Sequence, residues 1–150
     1  MSGQFSELTH HLDVRVYYED TDFSGVVYHA NYLKYAERAR SDFLRLAGVK
    51  HSDLLALEKP LAFVVTKMDM DFLAPARIDE DLRVSSVCIL AKGVRMGFHQ
   101  TVSRGETCLW RAKVGAACVD LDGRPRRLPA TTAEQLAPYV VEAVPDNFTW

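Results

Sequence analysis

A chain of 150 residues that is 48% hydrophobic and 25% charged has the balance of one globular domain, domain 1–150, which folds without disulfides or a structural metal. Its 18 basic and 20 acidic residues leave a net charge of −2, which excludes a protein built mainly to neutralise phosphate backbones, so no nucleic-acid partner is expected. Residues 1–11 are polar and lack the apolar core of a signal peptide. The longest apolar run, residues 61–65, is far short of the ~20 residues of a membrane span, so the cytoplasm is the expected location.

Leu12, Val14, Val16 and Tyr18 alternate with Asp13, Arg15 and Tyr17, the period of a half-buried strand. Residues 19–30 break that pattern, contain Ser24-Gly25 and read as a loop. Residues 31–47 switch to helical period. Tyr32, Ala36, Ala39, Phe43 and Leu46 share one face opposite Lys34, Arg38, Ser41 and Arg45, and Gly48 supplies a stop. A short helix is expected over residues 52–57. Ala62, Val64, Thr66, Met68, Met70 and Phe72 then form one face of a long strand, ended by Pro75. Residues 82–91, 95–103 and 107–120 read as three more strands. The breaks between them, Lys92-Gly93 and Arg104-Gly105-Glu106, are short enough for antiparallel hairpins. Asp122-Gly123-Arg124-Pro125 is a turn, and Thr131 to Glu134 offers a capping box for a terminal helix. Residues 142–150 lack periodicity. Cys88, Cys108 and Cys118 cannot all pair within one chain and sit in apolar, strand-like segments as small buried residues. The layout is α+β: a five-stranded antiparallel sheet with one long helix against it. One helix leaves such a sheet partly bare, with open edges, so oligomerisation is expected.

The chemistry concentrates between the first strand and the helix, where Glu19, Asp20, Asp22, Gly25 and His29 fall close together. Asp20, Asp22, Ser24 and Gly25 match the spacing of a calcium loop, but Asn31 stands where a bidentate acid is required and a strand precedes the loop, so no metal is expected. Acids before a helix also serve as simple partners of its positive end. That role does not explain the bulky run Val26, Val27, Tyr28. A catalytic reading does: the first helix N–H groups can hold an oxyanion, a loop carboxylate can attack a carbonyl or activate water, and Gly25 lets the chain approach a substrate.

Tyr18-Glu19-Asp20-Thr21-Asp22, then Gly25-Val26-Val27-Tyr28-His29, then Tyr32 and Glu37-Arg38-Ala39-Arg40, resembles the active-site signature of hotdog-fold acyl-CoA thioesterases of the 4-hydroxybenzoyl-CoA thioesterase type. The branch most similar is the one associated with the Tol-Pal system (YbgC-type). Ala62-Phe63-Val64-Val65 and Ala74-Pro75-Ala76-Arg77 extend the likeness, which covers residues 12–130 and leaves both ends as flexible extensions. The resemblance implies a hotdog fold, with the sheet wrapped around a central helix. It also implies hydrolysis of acyl-CoA or acyl-carrier-protein thioesters, no cofactor, and a homodimer or homotetramer with the pocket at the subunit interface. It assigns the catalytic carboxylate to Asp22 and the donor to the thioester oxygen to the His29 N–H. Tyr18, Gly25, Val27 and Tyr28 become substrate-binding residues. Coenzyme A phosphates need basic partners, and Lys92, Arg95, Arg124, Arg126 and Arg127 qualify by charge and loop position. An enoyl-thioester hydratase would carry Asn-Pro after the aspartate, which is absent here. A protein that binds acyl-CoA or acyl carrier protein, or serves as a scaffold in phospholipid or cell-envelope metabolism, stays open as an alternative.

Overall fold

Period-two strands joined by tight turns must pair with their neighbours, and one amphipathic helix must bury its apolar stripe against them. The computed structural model, which describes residues 2–145, realises that layout. Strands β1 (Gln4–Ser6), β2 (Thr9–Arg15), β3 (Leu61–Phe72), β4 (Asp81–Lys92), β5 (Arg95–Arg104) and β6 (Thr107–Asp120) form one sheet in the order β1-β2-β4-β5-β6-β3. Every pairing is antiparallel. Helix α1 (His29–Leu46) crosses one face, while α2 (His51–Leu55) and α3 (Ala130–Leu136) are short.

The apolar stripe of α1 is packed except at its last residue, Leu46, which is exposed. Tyr35, Ala36, Ala39 and Phe43 are buried against Val84, Cys88, Phe98 and Trp110 of the sheet. A polar network pins the helix in register. Gln100 Nε2 donates to Ala36 O and Ser86 Oγ, each at 2.9 Å, and Arg40 Nη1 donates to Gln100 Oε1 at 2.9 Å. A buried glutamine is tolerable only when its amide is bonded in this way. Gly48, at φ +96°, ends the helix: its N–H donates to Arg45 O and that of Val49 to Leu44 O. Burial pushes the Cys88 thiol up to about 11, which leaves it a packing group.

Four expectations need correction. The sheet has six strands, and α1 is accompanied by two short helices. The extra strand β1 is held by contacts remote in sequence: the Asp42 carboxylate accepts the Gly3 N–H at 2.8 Å and His10 Nε2 at 2.6 Å, and Phe5 packs edge-on to Phe43. The first long strand starts at Thr9 and stops at Arg15, so Val16 to Tyr18 lie beyond it. Helix α3 begins at Ala130 with Pro129 as N-cap; proline carries no polar side chain, so there is no side-chain cap bond, and Thr131 lies inside the first turn. Of the C-terminal extension, residues 146–150 lie outside the described residues.

Candidate active site

The site arises where the chain reverses after β2. The Asp20 carboxylate accepts the Tyr17 N–H at 2.9 Å and curls Tyr18–Asp20 into a single 3-10 turn. The chain then doubles back: Thr21 and Val27 form an antiparallel bridge, the Asp22 N–H donates to Val26 O at 2.9 Å, and the Gly25 N–H donates to Asp22 O at 3.0 Å. Gly25 sits at φ +82°, a conformation that costs a residue with a Cβ about 1–2 kcal/mol. The Tyr28 N–H returns to Asp20 O at 2.9 Å and closes the loop, so His29 opens α1 directly after it. A third anchor is the segment after β3: Val27 N–H donates to Ala76 O at 2.8 Å, and the Ala76 N–H donates to the Tyr32 hydroxyl at 3.1 Å.

Asp22 is exposed on one arm of this loop. One of its oxygens, Oδ1, accepts the Ser24 hydroxyl at 2.6 Å and the Ser24 N–H at 2.9 Å. These bonds, the hydroxyl first, hold its carboxyl below the usual carboxylate range, so it is ionised across neutral pH. On the other arm, the His29 and Ala30 N–H groups take part in none of the hydrogen bonds among the described residues, as expected at a helix start. The loop thus carries an anionic carboxylate and leads into two donors at the positive end of an 18-residue helix.

A cavity of about 270 Å³ opens at this helix end, lined by Val27, His29, Tyr32, Phe72, Leu73, Ala74 and Pro75. The His29 ring lies 4.5 Å from Tyr28 and 6.2 Å from Phe72, and Tyr32 stacks on Trp110 at 6.1 Å. A groove of about 540 Å³ lies farther along α1, between Leu33, Glu37 and Arg40 of the helix and Val65 and Met68 of β3. The cavity at the helix end has mostly apolar walls, whereas the groove also carries the charged side chains Lys34, Glu37, Arg38 and Arg40.

Of the residues singled out from sequence, Val27 and His29 line the cavity, whereas Asp22 and Gly25 lie on the loop before it and Tyr28 is the helix N-cap, none of the three on its wall. Tyr18 does not line the cavity; its side chain is 83% exposed on the 3-10 turn. Lys92 and Arg95 lie at the β4–β5 turn, where Arg95 pairs with Ala117 of β6 while Phe72 pairs with Trp110. Seven residues of β6 separate these points, about 23 Å along the strand. Arg126 lies at the same distal end, with its guanidinium on Asp120 at 2.9 Å. Sequence reading missed Leu73, Ala74 and Pro75 as wall residues, although the Ala74-Pro75 pair marks the bend that turns them toward the helix. It also missed Asn31, whose Nδ2 donates to Asp20 O at 2.8 Å.

The family model described as "Thioesterase-like superfamily" matches residues 16–136. The acyl-CoA thioester hydrolase YbgC of Escherichia coli O6:H1 is 44% identical over 118 residues, covering 77% of this chain and 87% of that protein. The acyl-CoA thioesterase YbgC of Haemophilus influenzae is 45% identical over 108 residues, covering 72% of this chain and 79% of its own. Among solved structures, a probable thioesterase from Bartonella henselae superposes with a TM-score of 0.78 at 43% identity, over 81% of this chain and 99% of its own.

Proposed function

Because this chain belongs to the thioesterase-like superfamily and hydrolyses acyl-CoA thioesters, we propose that Asp22 is its catalytic carboxylate and the start of α1 its oxyanion site. The observation that carries this reading is one loop with an ionised Asp22 on one arm and two open helix N–H groups on the other, beside an apolar cavity. The thioester carbonyl oxygen accepts the His29 N–H, where the helix dipole stabilises the charge that develops on it. Asp22 then acts by one of two routes. Its free oxygen attacks the carbonyl carbon, the C–S bond breaks, the thiolate leaves, and water hydrolyses the resulting mixed anhydride. Alternatively, Asp22 takes a proton from a water that attacks the same carbon, and the thiol leaves in one step. In a single turnover in ¹⁸O-water, an unlabelled product acid with the label in Asp22 demonstrates the covalent route, because the general-base route always labels the acid and never Asp22.

The proposal extends to a second copy of the chain. β3 is 12 residues long, lies at an open edge of the sheet and exposes Val64 and Val65. Such an edge is a template for pairing. Antiparallel pairing of two β3 edges reverses one sheet against the other. The Lys92–Arg95 turn of one copy then moves to the end of the sheet that carries Asp22 of the other. There its charges meet the phosphates of coenzyme A, which Lys92 and Arg95 are too distant to reach within one protomer. Arg126 is committed to Asp120 and adds only to the local potential.

Thiol release from acyl-CoA esters of graded chain length, beside the same acyl groups on acyl carrier protein, tests the reading. Turnover of the coenzyme A esters is expected. Tight binding of either carrier without thiol release would instead support a binding or scaffold protein.

A further inference from the structure

We infer that Asn31 is a positioning residue for the thioester reaction: its side-chain amide locks the loop that carries Asp22 to the first turn of α1. The inference rests on the assignment of Asp22 above. Asn31 is the third residue of the helix and only 9% exposed. Asparagine has a weak helix propensity, and burying its amide is unfavourable unless it is bonded. Its presence here therefore calls for a reason outside the helix. Nor is it the N-cap. Tyr28 holds that place, and the Asn31 backbone N–H donates to Tyr28 O at 2.8 Å.

The reason lies across the loop. Asn31 Nδ2 donates to the Asp20 carbonyl at 2.8 Å, and the Tyr28 N–H donates to the same carbonyl at 2.9 Å. A carbonyl has two lone pairs, and both are used. The Asp20 carboxylate meanwhile accepts the Tyr17 N–H, so this one residue joins the strand side of the loop to its helix side. Asp20 is followed within two residues by Asp22, and Tyr28 immediately by His29. The two bonds on Asp20 O therefore fix the carboxylate relative to the oxyanion donors.

Without the Asn31 bond, Asp20 keeps its Tyr17 bonds on the strand side, but its carbonyl is tied to the helix side by the Tyr28 N–H alone. Val26 and Val27 stay anchored to Arg77 and Ala76, so the shift falls on the Thr21–Asp22 arm and carries Asp22 with it. A misplacement of about 1 Å between reacting groups can cost on the order of 100-fold in rate. A substrate held by the cavity and the helix end does not sense the same shift.

Asn31→Asp keeps the shape and replaces the donor by an acceptor facing an acceptor. Asn31→Ala removes the group altogether and serves as a second, independent variant. For each, kcat, KM and Tm are measured alone and in an Asp22→Asn background. The expected result is a kcat lowered about 10- to 100-fold in protein that remains folded at the assay temperature, a KM close to the parent, a Tm lowered by the lost buried bond, and no further loss of kcat when Asp22 is already asparagine. An unchanged kcat, a loss carried by KM or explained by the unfolded fraction, or the same loss in the Asp22→Asn background overturns the inference and leaves the Asp22 assignment standing. Parent-like turnover by Asp22→Asn alone overturns that assignment, and the positioning role falls with it.

Discussion

At the scale of single residues, the site depends on how Asp22 is held. Ser24 donates both its hydroxyl and its N–H to Asp22 Oδ1, which favours the ionised form. The proposed reaction needs that form, so activity is expected to be retained as pH falls and lost only below the ordinary aspartate value of ~3.9. Ser24→Ala removes the larger of the two stabilising bonds. Its acid limb of kcat against pH is expected to move upward, toward the ordinary value. A limb that stays in place or moves down would show that Ser24 does not set the ionisation of Asp22. Gly25 gives a second residue-scale prediction. No atom lies within 4 Å of a Cβ built there, so Gly25→Ala has space and meets only the penalty of φ +82°. It is expected to lose about 1–2 kcal/mol of stability. A larger loss of activity than of folded protein, measured by thiol release and thermal melting, would show that the loop relaxes around Asp22; unchanged values of both would contradict the strain argument.

At the scale of elements, the helix and the four long strands were legible because their partners are encoded by period. The stripe Tyr32, Ala36, Ala39, Phe43 needs only a sheet to face, and the hairpin breaks dictate which strands adjoin. Phe43 shows how much rests on that stripe: it is fully buried, edge-on to Phe98 at 5.4 Å and to Phe5 at 4.9 Å. Phe43→Ala is expected to cost about 3–5 kcal/mol in urea unfolding; a cost below about 1 kcal/mol would mean that the helix is not anchored there. Strand β1 was not legible, because its short sequence has no pattern of its own and depends on Asp42 and Phe43, which lie far along the chain. Tyr18 misled for a related reason. It continues the alternation of β2, yet the Asp20 carboxylate bends the backbone before that residue can join the sheet. The catalytic loop stood out through its residue types. The Asn31 bond to a main-chain carbonyl leaves no trace in sequence, since an asparagine near a helix start looks like an ordinary cap.

At the scale of the whole molecule, the long open edge of β3 is the surface on which the proposed dimer rests. Among the described residues, no helix is long and apolar enough to cross a membrane, and β3 is the longer of the two open edges, against three residues for β1. The proposed pairing predicts that the protein sediments as a dimer or a multiple of it. Val64→Lys, at an exposed edge position, is expected to shift it toward a monomer with weakened binding of coenzyme A esters. A fully active monomer would contradict the shared site. The central claim is that Asp22 performs the chemistry at the start of α1, and thiol release by Asp22→Asn tests it most directly. The substitution keeps the shape of the side chain and removes its negative charge. The account predicts a kcat at least about 100-fold lower, with KM for the acyl-CoA ester largely kept. Turnover equal to that of the parent would contradict it.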